Sequence, residues 1–125
     1  NGGFLMDTCR LILETGMGSD LYGEDYTKAA CRAVHDAIHH SSIIMFRSLS
    51  LDSRKMQVKV TIGVKKPELV DAKLVAEVLP HGVVSVKAVC GGLNITDPEN
   101  GTISVIATAA VEAFYEIKKQ NFKRT

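Results

Sequence analysis

The chain has 125 residues, 46% hydrophobic and 23% charged, the balance of one ordinary globular domain with a single core and not of a disordered chain. Its 15 basic and 14 acidic residues leave a net charge of +1, so no broad field favours nucleic acid or an anionic membrane. No apolar run approaches the roughly 20 residues of a membrane helix, and without Trp and with only scattered Tyr and Phe there is no base-stacking platform.

In chain order, residues 1–8 read as a loose leader. Residues 9–14 (CRLILE) alternate and form a first strand. The stretch 16–25 (GMGSDLYGED) then reads as a glycine loop. Asp25 caps a helix that runs to about residue 42, with Tyr26, Ala29, Ala30, Ala33, Val34, Ala37 and Ile38 as its apolar stripe. Residues 43–51 fit a short extended piece or a helix end. Residues 57–65 (QVKVTIGVK) alternate cleanly, with Val58, Val60, Ile62 and Val64 on one face, and Pro67 stops them. Residues 68–79 make a second amphipathic helix ended by Pro80-His81-Gly82, and residues 83–90 a third strand broken by Gly91-Gly92. The run DPENG (97–101) is a hairpin signal. Residues 103–117 carry both a strand and a helix pattern; strand is preferred, because the hairpin returns the chain along the third strand. The tail 118–125 is basic and solvated.

The expectation is an α+β domain over 9–117 in the order βαβαββ. It is a four-stranded mixed sheet with both helices on one face, as right-handed crossovers require. The other face mixes Lys59, Thr61, Lys65, Ser85 and Lys87 with Ile12, Val83 and Val89, and a half-apolar face of this kind predicts a homo-oligomer. Cys9, Cys31 and Cys90 are odd in number and widely spaced, which is neither a disulfide framework nor a zinc pattern. They point to an intracellular, reducing compartment. The sequons at Asn94 and Asn100 are read as turn residues.

The glycine loop fails as a phosphate cradle. Gly16 and Gly18 begin a dinucleotide fingerprint, but Leu21 stands where its third glycine belongs. Gly18 and Gly23 have Walker spacing, but Glu24-Asp25 follows in place of Lys-Ser/Thr and would repel phosphate. An EF-hand needs a different ligand spacing and helices on both sides. The stretch is thus either a plain strand-to-helix turn with acids on the helix dipole, or one that also projects Asp20 and Tyr22 into a pocket. His35 and His39 sit at i and i+4 but lack a third ligand, so they read as a solvated helix face and no metal is expected.

Gly16-Met17-Gly18-Ser19-Asp20-Leu21-Tyr22-Gly23 resembles the GxGxDxHG signature of an uncharacterised Lin-type family of conserved hypothetical proteins, found in bacteria and, with an N-terminal extension, in plants. Tyr26-Thr27-Lys28-Ala29-Ala30 and Val89-Cys90-Gly91-Gly92-Leu93 fit the same family, so the match runs over about residues 10–111. Tyr22 stands where the signature has His, so a phenol replaces a base or metal ligand. The resemblance implies no assigned reaction, and a cytoplasmic or plastid setting. The element order is also similar to the chorismate-mutase and YjgF-like architecture, which implies trimers with ligand clefts between subunits. Lys65-Lys66-Pro67 and Cys90-Gly91-Gly92 resemble segments of ring-opening cyanuric acid hydrolases, with Cys90 in place of a serine.

The expected function is a cofactor-independent, metal-independent enzyme acting on a small reactive enol, enamine or imine, as a cyclase, isomerase or tautomerase. Asp20 would move or orient a proton and Tyr22 and Lys65 would hold an oxygen. Glu14, Gly16, Gly18, Lys66, Gly91 and Gly92 would shape the cleft. Arg10 and Glu14 share a strand face and, with Asp20, make either an ionic cluster at its mouth or a plain surface pair. Cys90 is either a packed thiol or a nucleophile, with the Gly91 and Gly92 amides as oxyanion donors and a lysine lowering its pKa. The alternatives are a non-catalytic small-molecule-binding or regulatory oligomer, ring-opening amidohydrolase-like hydrolysis through Cys90 and lysine, and a structural subunit.

Overall fold

Alternating β-branched residues build the centre of the molecule. Val58, Val60, Ile62 and Val64 all point to one side of the sheet and are buried, each contributing ~1.5–3 kcal/mol by leaving water. The computed structural model describes residues 6–39, 56–79 and 83–118. Over these the chain runs β1 (Met6–Asp20), α1 (Tyr26–His39), β2 (Met56–Val64), a 3-10 turn (Pro67–Leu69), α2 (Ala72–Ala76), β3 (Val83–Cys90), β4 (Leu93–Asp97) and β5 (Thr102–Lys118). The segments 1–5, 40–55, 80–82 and 119–125 lie outside the described residues. With them lie most of the expected leader and tail, the piece at 43–51 and the turn at 80–82.

The sheet is mixed and five-stranded, in the order β1-β5-β2-β3, with β4 beside β5. β2 and β3 are parallel, joined through α2, as parallel neighbours need a crossover; the other pairs are antiparallel. α1 packs on β1, β5 and β2, and α2 packs on β3 and α1, so both helices cover the same face. The expected α+β class, the order of the first five elements and the strand over 103–117 stand.

Four expectations are corrected. First, β1 reaches Asp20, so Gly16 and Gly18 lie in a strand and the turn is confined to residues 21–25. A Cβ on Gly16 would fall on the backbone of Ala33 and Ala37, and one on Gly18 on that of Ala29 and Ala33. The glycines therefore let the Ala29, Ala33, Ala37 ridge of α1 rest on the strand backbone. They read as a loop only because a glycine in a strand is so often a break.

Second, the helix expected over 68–79 is two short pieces. Val70 is extended (ψ 128), and Asp71 starts α2 afresh by accepting from the Lys73 and Leu74 amides. Third, there are five strands, because β4 follows Gly91-Gly92. β5 pairs with β1, β2 and β4 and not with β3. The chain leaves β3, steps across the end of β2 at Gly91-Gly92 and joins β5 beyond it. Gly92 has φ +62, and a Cβ on Gly91 would lie 3.2 Å from the Gly63 Cα. Fourth, a register shift between Arg10 and Ile12 sets Arg10 opposite Phe114 but Glu14 opposite Val111. Glu14, expected to shape the cleft, thus stands in register with the buried Val111 on the helix-covered side. Lys65 falls beyond the end of β2.

Candidate functional site

The turn after β1 is built around one carboxylate. Asp20 is 7% exposed, and its Oδ2 accepts from the Asp25 amide at 2.9 Å. Its Oδ1 lies 3.5 Å from Arg32 Nη1, which donates to the Ser19 carbonyl at 2.7 Å. Asp25 in turn accepts from the Lys28 amide at 2.9 Å and caps α1. Asp20 thus ties the strand end to the helix start. Tyr22, two residues on, is 79% exposed. Glu24 takes φ 50, a left-handed conformation uncommon outside glycine.

The outer rim of β1 is closed by the same helix. Asp36 Oδ2 accepts the Met17 amide at 3.0 Å, one turn beyond Arg32 and its Ser19 carbonyl. Because Gly16 and Gly18 bring α1 so near, its polar residues reach around the strand to main-chain groups of an edge.

The uncovered face of the sheet carries an open groove of about 630 Å³. The register explains it. One row across the strands is Met17, Thr108, Gly63 and Val89, and the next is Thr15, Ala110, Thr61 and Lys87. Small residues on the two middle strands form the floor, between Met17 on one side and Val89 on the other. Cys90 and Gly91 close one end, and Asp36 lines it at the β1 rim. The rows beyond rise again, where Lys59 stands over the Phe114 ring at 5.1 Å from its centre.

Of the expected site residues, only Gly16, Cys90 and Gly91 line this groove. Cys90 is exposed. The Gly91 amide is already bonded to the Val64 carbonyl at 2.8 Å, so it is not free to hold an oxyanion. Lys65 and Lys66 are exposed beyond the end of β2, and Glu14, Gly18, Asp20, Tyr22 and Gly92 are not among the lining residues. The expected residues therefore fall into separate places. Sequence reasoning missed Thr15, Thr61, Gly63 and Thr108; their signal was a run of small residues at the outward positions of two strands whose inward positions are Val, Ile and Ala.

Among the described residues no three His, Cys, Asp or Glu are grouped to hold a metal. His35 and His39 flank a second open hollow, of about 350 Å³, on the outside of α1. Cys31 donates to the Leu74 carbonyl at 3.8 Å, and burial, with Asp25, Asp71 and Glu77 nearby, raises its pKa. No helix among the described residues is long and apolar enough to cross a membrane.

A family model for conserved hypothetical proteins, Lin0512, matches residues 10–113. This chain belongs to the Lin0512 family. The match takes in the glycine pair, the turn at Asp20 and the Gly91-Gly92 step, so the features built above lie inside the family's span. A crystal structure of an FtsZ-like protein of unknown function from Nostoc punctiforme is 35% identical, with a TM-score of 0.73, over 90% of this chain and 99% of that one. None of the curated proteins compared with the chain matches it.

Proposed function

We propose that this Lin0512 protein binds a small molecule in the groove on the open face of its sheet. The observation that carries the proposal is the floor of Thr61, Gly63, Thr108 and Ala110 between Met17 and Val89, at a volume of about 630 Å³. That size falls within the usual ~300–1,000 Å³ of ligand sites, and mainly apolar walls with a few polar groups are their usual lining. The groove is open to solvent, so closure by a second copy is part of the proposal. A homotrimer of the chorismate-mutase/YjgF-like kind is the assembly we favour, in an intracellular setting.

Binding is preferred to catalysis for a physical reason. Cyclase, isomerase or tautomerase chemistry through Asp20 and Tyr22 needs the Asp20 carboxylate freed from Asp25 and Arg32; binding in the groove needs no such release. One observation favours a second reading, that of a covalent step. Cys90 is exposed and among the residues at the end of the groove, and it is the candidate nucleophile that ring-opening hydrolysis would require.

The test is a metabolite library screened by amide chemical shifts, with sedimentation velocity on the same protein. Compounds that move the amides of Thr61, Gly63 and Thr108 together, on a protein that sediments as a trimer, are the expected result. A library that leaves all three amides still would remove the groove as a site, and a monomer would remove the closing subunit.

A further inference from the structure

We infer that the groove takes a flat, uncharged heteroaromatic molecule, of the purine or pteridine type, with donor and acceptor atoms around its rim. The inference rests on the binding role proposed above and names the ligand class. Shape is the first argument. The floor is a stretch of sheet whose residues at Gly63 and Ala110 scarcely rise above the backbone, flanked by Met17 and Val89 on the outer strands. Strands ~4.8 Å apart put those flanks ~14 Å from each other, leaving a broad slot about one side chain deep. A fused ring lying on the floor fills such a slot, whereas a saturated, globular molecule would leave most of its surface in water.

Polarity is the second argument. Thr15, Thr61 and Thr108 supply the hydroxyls of the lining, and a hydroxyl both donates and accepts. They match a ring edge that carries both kinds of atom. No Lys or Arg is among the lining residues, and Lys87, at the β3 border of the second row, is a single cation beside the groove and not a paired clamp for phosphate or carboxylate. The charged lining residue is Asp36, already engaged with the Met17 amide at 3.0 Å. Softness is the third argument. Sulfur lines the groove on its β1 side, where Met17 stands on the open face. Polarizable sulfur favours aromatic edges.

The experiment is a titration of the ¹⁵N-labelled full chain with four probes: adenine, hypoxanthine, myo-inositol and inorganic phosphate. The expected result is saturable movement of the Thr61, Gly63 and Thr108 amides with adenine or hypoxanthine. Thr108→Val keeps the shape and removes the hydroxyl; it should weaken that binding at least fivefold while the rest of the spectrum stays folded. Thr61→Val is the second variant should the first disturb the sheet. If inositol or phosphate moves these amides and the purines do not, the ligand class is wrong while the groove remains a site. If purines move only amides elsewhere, or bind both valine variants as well as the parent, the inference is overturned. If neither the four probes nor the library moves the groove amides, the inference and the binding role fall together.

Discussion

Gly18 lies directly against Ala33: a Cβ on the glycine would fall on the alanine's amide nitrogen. Neither backbone can yield without parting α1 from β1. Gly18→Ala should therefore cost about 3 kcal/mol, the upper end of ordinary overpacking, because the obstacle is main chain and not a movable side chain. Urea unfolding followed by circular dichroism measures it. A loss under about 1 kcal/mol would mean that helix and strand do not touch as described.

The Asp20 and Arg32 pair should be unequal. Asp20→Ala leaves the Asp25 amide without its acceptor inside the fold and should cost about 2 kcal/mol. Arg32 has a half-exposed side chain, so Arg32→Ala should cost about 1 kcal/mol or less. Equal losses in chemical denaturation would contradict a buried, turn-organising carboxylate.

Two glycines with similar dihedrals should respond very differently. Gly92 (φ +62) would send a Cβ into the Ile106 carbonyl, whereas Gly101 (φ +65) has nothing within 4 Å. Gly101→Ala carries only the left-handed strain of the hairpin, about 1 kcal/mol. Gly92→Ala adds a steric clash and should cost about 3 kcal/mol. Thermal melts of the two variants side by side give the order.

Cys90 should react with iodoacetamide well before Cys31. Burial and three nearby carboxylates hold the Cys31 thiol protonated above its usual range, and the thiolate is the reactive form. Mass-spectrometric mapping at pH 8 should show at least a tenfold difference in rate. The same shift has a sign for stability. With its folded pKa raised, the contribution of Cys31 is complete below the unfolded pKa and is lost as pH rises through the folded value. Cys31→Ser should flatten the alkaline side of the stability profile.

The hairpin at Asp97 should weaken in acid. Its carboxylate is held below the usual range first by the Asn100 side chain at 2.8 Å, then by the Asn100 and Glu99 amides. A lowered folded pKa means that the contribution is present above the unfolded value and disappears as pH falls through the folded one. Amide shifts of Glu99 and Asn100 followed from pH 6 down to ~2 should report a midpoint below the ~3.9 of a free aspartate. A midpoint at or above it would show that these bonds do not form in solution.

Periodicity revealed what periodicity controls. The strand at 57–65 and the helix from 26 were plain because Val58, Val60, Ile62 and Val64 repeat at two and Ala29, Ala33 and Ala37 at four, and burial follows those repeats. The glycine pair was not plain, because its meaning depends on a helix that packs across it from later in the chain. β4 hid for a related reason: Gly91-Gly92 marks a sideways step over the end of β2, which looks the same in sequence as a strand ending. The expected loop over 16–25 holds a turn only at 21–25; Asp20 ends β1 ahead of it, with its carboxylate engaged by the Asp25 amide, which composition cannot show. Whether β5 joins β3 or β1 is likewise a long-range choice, settled when both flanks of β5 are filled by β1, β2 and β4.

The guanidinium of Arg32 and the carboxylate of Asp36 give the sheet a direction of growth. Any foreign strand adding beyond β1 must first evict both from the Ser19 carbonyl and the Met17 amide. The far border, β3, has no such bonds to its main chain among the described residues. Two main-chain groups so occupied make that stretch of β1 a poor template for edge-to-edge pairing, a built-in guard against aggregation through the β1 border.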